Sequence, residues 1–198
     1  MPTEISFFPA VSVNAQFIYT FGGYDNVEKI QVRTCEVYDI NKDRWHKNDV
    51  QLNDARSQAS ACQFKESVIF IFGGYSKEAG TLDSIERYDI DRRRMTLVEL
   101  RMPSALRRFA SIKISKTKVL LLGGISRLSK DSDAVYCFDC EDAGKPQYSV
   151  EVLDKIDKPG VIDAPVIIDS VGSLHLFIEQ ASGTSPALRS VYSFLEYS

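Results

Sequence analysis

The sequence predicts an all-β protein built from about four stacked, four-stranded antiparallel sheets, and three observations lead there. An apolar run ends in a glycine pair three times, as FIYTFGG, VIFIFGG and KVLLLGG, with the pairs at Gly22-Gly23, Gly73-Gly74 and Gly123-Gly124. Each copy continues to an aromatic residue followed by aspartate: Tyr38-Asp39, Tyr88-Asp89 and Phe138-Asp139. No apolar stripe of 3.6-residue period extends beyond about ten residues, so no helix competes. A unit recurring every ~50 residues marks a repeat architecture.

The second copy reads most clearly. Its four β-like runs are SQASACQF, VIFIF, SIERYDI and RMTLVEL, separated by the turn-prone Lys65-Glu66-Ser67, Lys77 to Thr81 and Asp91-Arg92-Arg93. VIFIF is apolar throughout, as suits a strand buried on both faces. The glycines after it allow a tight bend with positive φ and a close approach by the neighbouring chain. Beyond the aromatic–aspartate pair comes another apolar side chain, Trp45 in the first copy and Met95 in the second, with Tyr148 expected to serve in the irregular third. In a fourth, degenerate copy DAPVIID, SLHLFIE and RSVYSFLEYS read as strands, and Glu179-Gln180 stands where the glycine pair would be. The sheets are expected at residues 5–50, 55–100, 105–152 and 162–197. Such a sheet has two apolar faces and cannot bury both alone. Radial stacking, the β-propeller, solves this, and places Phe70, Phe72, Tyr38, Tyr88 and Trp45 as wedges between blades.

Composition narrows the function. The 198 residues are 44% hydrophobic and 26% charged, with net charge −3 and pI near 5.5, which favours neither nucleic acid nor an acidic membrane surface. The start, MPTEISFFPA, has no basic n-region or long apolar h-region, so no secretory leader is expected. The expected compartment is the cytoplasm, cytoskeletal and nuclear locations included, with four reduced cysteines. Cys137 and Cys140 form a CxxC, but in a strand their side chains point to opposite faces. No second CxxC is present, and His46 and His175 are isolated, so no metal or redox site is expected.

The glycine pair after an apolar strand, the later Tyr-Asp, the Trp beyond it and the ~50-residue period together resemble the kelch repeat. The segments leading into the copies fit too: Arg56-Ser57 precedes the second and Arg107-Arg108-Phe109 the third, where kelch repeats often carry an arginine. The resemblance implies a kelch-type propeller with about four blades present. Kelch propellers usually hold about six or seven. The chain is therefore expected to be part of a larger propeller, or to have its open blade edges covered by a partner or by self-association.

The resemblance also bears on chemistry. Kelch-fold copper oxidases need a cluster of histidine, tyrosine and cysteine that two scattered histidines cannot supply. The Glu-x3-Asp-x3-Cys spacing of iron-dependent kelch proteins is missing, as are Gly-x-Ser-x-Gly and a phosphate loop. No enzyme and no cofactor is expected. The family implies a protein–protein interaction module, such as the substrate-recognition part of a ubiquitin-ligase adaptor, with a structural scaffold as the alternative. Rim arginines would hold an acidic or phosphorylated peptide by forked hydrogen bonds. The candidate contacts are Arg56, Ser57, Arg107 and Arg108 in the lead-in segments, and Tyr24, Tyr75, Ser126 and Arg127 after the glycines. Arg56 and Arg107 are expected side by side. The run Arg92-Arg93-Arg94 reads as a solvated hairpin turn, since no aromatic platform accompanies it.

Overall fold

The computed structural model describes residues 4–128, 130–142, 146–155, 167–168, 173–178 and 187–193. Among them no helix occurs; all regular structure is β. Blade one is the antiparallel sheet Ala10–Val13, Phe17–Phe21, Thr34–Asp39 and Arg44–Gln51. Blade two is Ser60–Lys65, Val68–Phe72, Ser84–Asp89 and Arg94–Arg101. Blade three is Ala110–Lys113, Lys118–Leu122, Ala134–Asp142 and Pro146–Lys155. A further sheet joins Ile167–Ile168, Ser173–Ile178 and Ala187–Ser193. Position 179–180, where the glycine pair is replaced, lies outside the described residues.

Stacking accounts for the all-apolar second strand. Val68–Phe72 is buried at every position. Ile69, Ile71 and Tyr88 pack with Val13, Tyr19 and Phe21 of blade one. Phe70, Phe72 and Ile85 pack with Val119, Leu121 and Phe138 of blade three. The ring of Phe138 meets those of Phe70 and Phe72 edge-on, at centroid distances of 4.9 and 5.2 Å. The first strands lie innermost, where the hydroxyls of Ser60 and Ser111 are 2.7 Å apart.

The CxxC is split as the strand geometry requires. Cys140 joins the cluster between blades two and three, whereas Cys137 packs with Leu120 and Leu122 on the other face of blade three. Burial pushes the Cys35 thiol up to about 12 and the Cys62 thiol up to about 11, so these two remain protonated.

Two expected wedges are placed differently. Tyr38 pairs with Ile18 and Trp45, on the opposite face of blade one from Phe17, Tyr19 and Phe21. That face points away from blade two, so Tyr38 and Trp45 stay half-buried with ring centroids 5.2 Å apart. In blade three the register position of Trp45 and Met95 belongs to Val150, opposite Phe138. Tyr148 lies two residues earlier and stacks on Phe138 at 5.9 Å.

The aspartate of the Tyr-Asp pair caps the next turn. Asp39 accepts hydrogen bonds from the amides of Asn41 and Lys42, and Asp89 from that of Arg92. Burial alone would push the Asp89 carboxyl up, but the Arg92 amide and the guanidinium groups of Arg92 and Arg87 prevail and hold it below its ordinary value. Gly73 (φ +53°) leaves no room for a side chain: a Cβ there would stand 2.5 Å from the Leu106 carbonyl oxygen. Gly80 has a similar φ of +73° but open space around it.

Three outcomes are expected. Both Gly73→Ala and Gly80→Ala incur the cost of positive φ, about 1–2 kcal/mol, and Gly73→Ala loses measurably more in thermal unfolding because of its backbone clash. Phe70→Ala costs about 3–5 kcal/mol in denaturant unfolding, whereas half-buried Trp45→Ala costs about 1 kcal/mol. A carboxyl whose folded pKa lies below its unfolded value contributes stability above about pH 4 and loses it as pH falls through the folded pKa. Asp89→Asn is therefore less stable than wild type at pH 6, and the gap narrows as a denaturation series moves below about pH 4.

Candidate functional site

At one end of each blade the lead-in segment pairs with the residues just after the glycines. Ile5–Ser6 pairs with Tyr24–Asp25, which pairs in turn with Ile30–Gln31. Ser57 bridges to Tyr75, and Leu106–Arg107 pairs with Ile125–Ser126. The structure thus brings the two groups of candidate residues together on one rim. Neighbouring blades are tied there by hydrogen bonds from Gln58 N to Phe7 O (2.7 Å) and from Arg108 N to Gln58 O (2.9 Å).

Arg56 does not belong to the surface of that rim. Its side chain is fully enclosed, and Ser57 is 1% exposed. Arg56 Nη1 donates to Gly73 O at 2.9 Å, and Nη2 donates to Ser84 Oγ at 2.9 Å and Glu86 Oε1 at 2.7 Å. The other carboxylate oxygen of Glu86 accepts from the amide and side chain of Asn53, both at 2.8 Å. Burial pushes the guanidinium below its ordinary value, opposed by Glu86 and Asp54. The expectation that Arg56 and Ser57 contact a partner is corrected: Arg56 joins blade one to blade two, and Ser57 is enclosed beside it.

The reason is a one-residue offset. Arg56 O accepts from Gly23 N at 2.8 Å, and it is Leu106 O that accepts from Gly74 N at 2.8 Å. Leu106, not Arg107, is thus the counterpart of Arg56, and Arg107 is the counterpart of Ser57. Successive residues of an extended chain point to opposite sides, so Leu106 turns inward and Arg107 outward. Arg107 is half-buried, donates to Gln58 Oε1 at 2.9 Å and lies over the Tyr75 ring at 5.5 Å. Blade three uses an apolar junction: Leu106 stands for Arg56 and Tyr136, opposite Leu121 as Glu86 is opposite Ile71, stands for Glu86.

The remaining candidates face the rim. Tyr24, Tyr75, Arg108 and Ser126 are half-buried, and Arg127 is exposed and donates to Thr81 O at 3.2 Å. Aligned rim positions become more basic from blade to blade: Ser6, Ser57, Arg107; Phe7, Gln58, Arg108; Asn26, Lys77, Arg127. Phe7, Gln58 and Arg108 share a left-handed backbone, with φ of 55°, 56° and 53°. Phe7 is 58% exposed. Sequence reasoning missed Phe7, Gln58 and Lys77; counting back from the glycine pairs, rather than matching arginines, would have found the first two. Among the described residues, no group of three or more His, Cys, Asp or Glu side chains could hold a metal, and no helix is long and apolar enough to cross a membrane.

A family model described as the KLHDC2/KLHL20/DRC7 Kelch-repeats domain matches residues 9–154. The chain belongs to the kelch-repeat family. Membership implies a protein–protein interaction domain. Kelch-like protein 38 of Danio rerio is 32% identical over 76 residues, covering 38% of this chain and 12% of that protein. A solved structure, "Structure of YjhT", superposes with a TM-score of 0.70 at 13% identity, over 87% of this kelch chain and 58% of that one. That likeness concerns the fold alone.

The two junctions make a test. Arg56→Leu, leaving Glu86 buried without its guanidinium, is expected to cost about 3–5 kcal/mol in denaturant unfolding. The pair Arg56→Leu/Glu86→Tyr, which copies the blade-three junction, recovers most of that loss.

Proposed function

We propose that this chain is a non-enzymatic protein-binding module that holds an acidic segment of its partner on the rim of blades two and three. The contact residues are Tyr75, Lys77, Arg107, Arg108 and Arg127, with Tyr24 and Ser126 at the margins. The observation that carries this reading is the basic character gained at three aligned rim positions, which concentrates positive charge on a chain of net charge −3. Arg107 is held in place by Gln58 and Tyr75. A guanidinium already ordered loses little further entropy on gripping a carboxylate or phosphate. Loops on a rigid scaffold are also where binding residues tend to sit.

The partial likeness to Kelch-like protein 38 supports a narrower form of the proposal, in which the rim selects substrates for a ubiquitin-ligase adaptor. A second reading, a scaffold that associates through blade faces, is favoured by the half-buried Tyr38 and Trp45 on the outward face of blade one.

The test is affinity capture from lysate with wild type and with Arg107→Ala/Arg127→Ala, followed by titration of a captured partner's acidic segment at two salt concentrations. The double variant is expected to keep its thermal stability, to lose about tenfold to a hundredfold in affinity and to show weaker salt dependence. Unchanged affinity and salt dependence would refute the rim. In that case, a partner lost on Trp45→Ala would support the scaffold reading.

A further inference from the structure

The turn Arg92-Arg93-Arg94 has no part in the rim, yet it precedes a hydroxyl in a suggestive arrangement. Three serine or threonine residues carry an arginine three positions earlier: Thr96, Ser104 and Ser111. Only Thr96 has a second arginine between, in the sequence Arg93-Arg94-Met95-Thr96. Kinases that select basic substrates bind such a segment extended, with acidic groups on the arginines.

The structure separates the three. Ser111 lies on an innermost strand with its hydroxyl 2.7 Å from that of Ser60, and Ser104 is half-buried. Thr96 is exposed, on the outermost strand of blade two. Among the described residues that strand pairs only with Ser84–Asp89 within its sheet, so its other edge can accept an added extended chain. Arg93 and Arg94 are exposed just upstream.

A second, independent feature concerns what lies beside the hydroxyl. Thr96 is directly opposite Arg87, and Arg94 opposite Asp89. Strand alternation puts Arg87, Asp89, Arg94 and Thr96 on one face. Arg87 Nη1 is 3.2 Å from Asp89 Oδ2. A phosphate on Thr96 would therefore share a face with Arg87 directly opposite and Arg94 two residues before it, a setting in which phosphorylation forms new charge-assisted hydrogen bonds.

The geometry points to Thr96 as the acceptor of a serine/threonine kinase selective for basic substrates, with Arg93 and Arg94 read by the kinase and Arg87 holding the phosphate afterwards. In the transfer, Thr96 Oγ1 forms a bond to the γ-phosphorus of ATP, and the bond from that phosphorus to the bridging oxygen breaks. ADP departs, and the hydroxyl proton passes to the kinase's catalytic aspartate. The site is independent of the rim and stands whether or not an acidic partner binds there.

The test uses the folded chain, ATP with Mg²⁺ and the catalytic subunit of cyclic-AMP-dependent kinase, read by intact mass and peptide mapping. One phosphoryl group is expected on Thr96, none on Thr96→Ala, and a rate about tenfold or more lower on Arg93→Ala/Arg94→Ala. Thr96, Arg93 and Arg94 are at exposed positions and Arg87 is half-buried; circular dichroism checks that each variant is folded. Failure of the folded chain to accept phosphate, or undiminished incorporation into Thr96→Ala, overturns the site. The role of Arg87 is read by phosphorus NMR titration of the modified chain. The phosphate's second ionisation is expected below that of free phosphothreonine and to rise in Arg87→Ala; an identical titration in that variant overturns the assignment of Arg87.

Discussion

Blades one to three of this protein carry apolar side chains on both faces, so such a blade can bury its hydrophobic surface only by standing between neighbours. Val68–Phe72, buried along its whole length, states the constraint most clearly. Ile69 and Ile71 face one blade and Phe70 and Phe72 the other. Burying a side chain of this size stabilises by roughly 1.5–3 kcal/mol. Stacking is therefore the condition of the fold, and the glycine pairs serve it by letting the following lead-in segment pass at backbone contact. The half-buried Tyr38 and Trp45 show the same constraint from the other side, since their face of blade one is turned away from blade two.

The junctions meet this constraint with two chemistries. Between blades one and two, a buried arginine reaches Glu86, Ser84 and the Gly73 carbonyl, so that the charge is paired and most of its donors are satisfied. Between blades two and three, Leu106 and Tyr136 fill the corresponding places. A buried ion pair contributes little net stability compared with apolar residues of similar volume, although breaking one is costly. The polar junction is thus better understood as fixing the position of one blade against the next than as an added source of stability.

Function follows from what packing leaves over. The glycines, the aromatics and Arg56 are occupied in holding blades together. The rim positions that remain differ from blade to blade and grow basic toward blade three. Three of them share a left-handed backbone at non-glycine residues, which costs roughly 1–2 kcal/mol each. The hydrogen bonds linking Phe7, Gln58 and Arg108 hold that conformation and so present their side chains in a fixed row. Thr96 belongs to a different part of the same blade architecture, the outermost strand, whose free edge and cross-strand arginine suit it to modification rather than to partner binding.

The repeat was legible because packing imposes it on residue type. A strand buried on both faces must be apolar, a bend in contact with a neighbouring backbone must be glycine, and a turn that needs capping takes aspartate, so the three blades and the diverging side chains of the CxxC could be read from residue order, and the interaction class followed from the family resemblance that the repeat carries. What the order of residues left undecided was which way each side chain points. Matching Arg56 to Arg107 rested on residue identity, but the backbone aligns Arg56 with Leu106. In an extended segment a shift of one residue exchanges inside for outside. Only the tertiary structure could decide that Arg56 is a buried tie, that Arg107 faces the rim and that Trp45 lies on an outward face, because each depends on hydrogen bonds and contacts with blades distant in the chain.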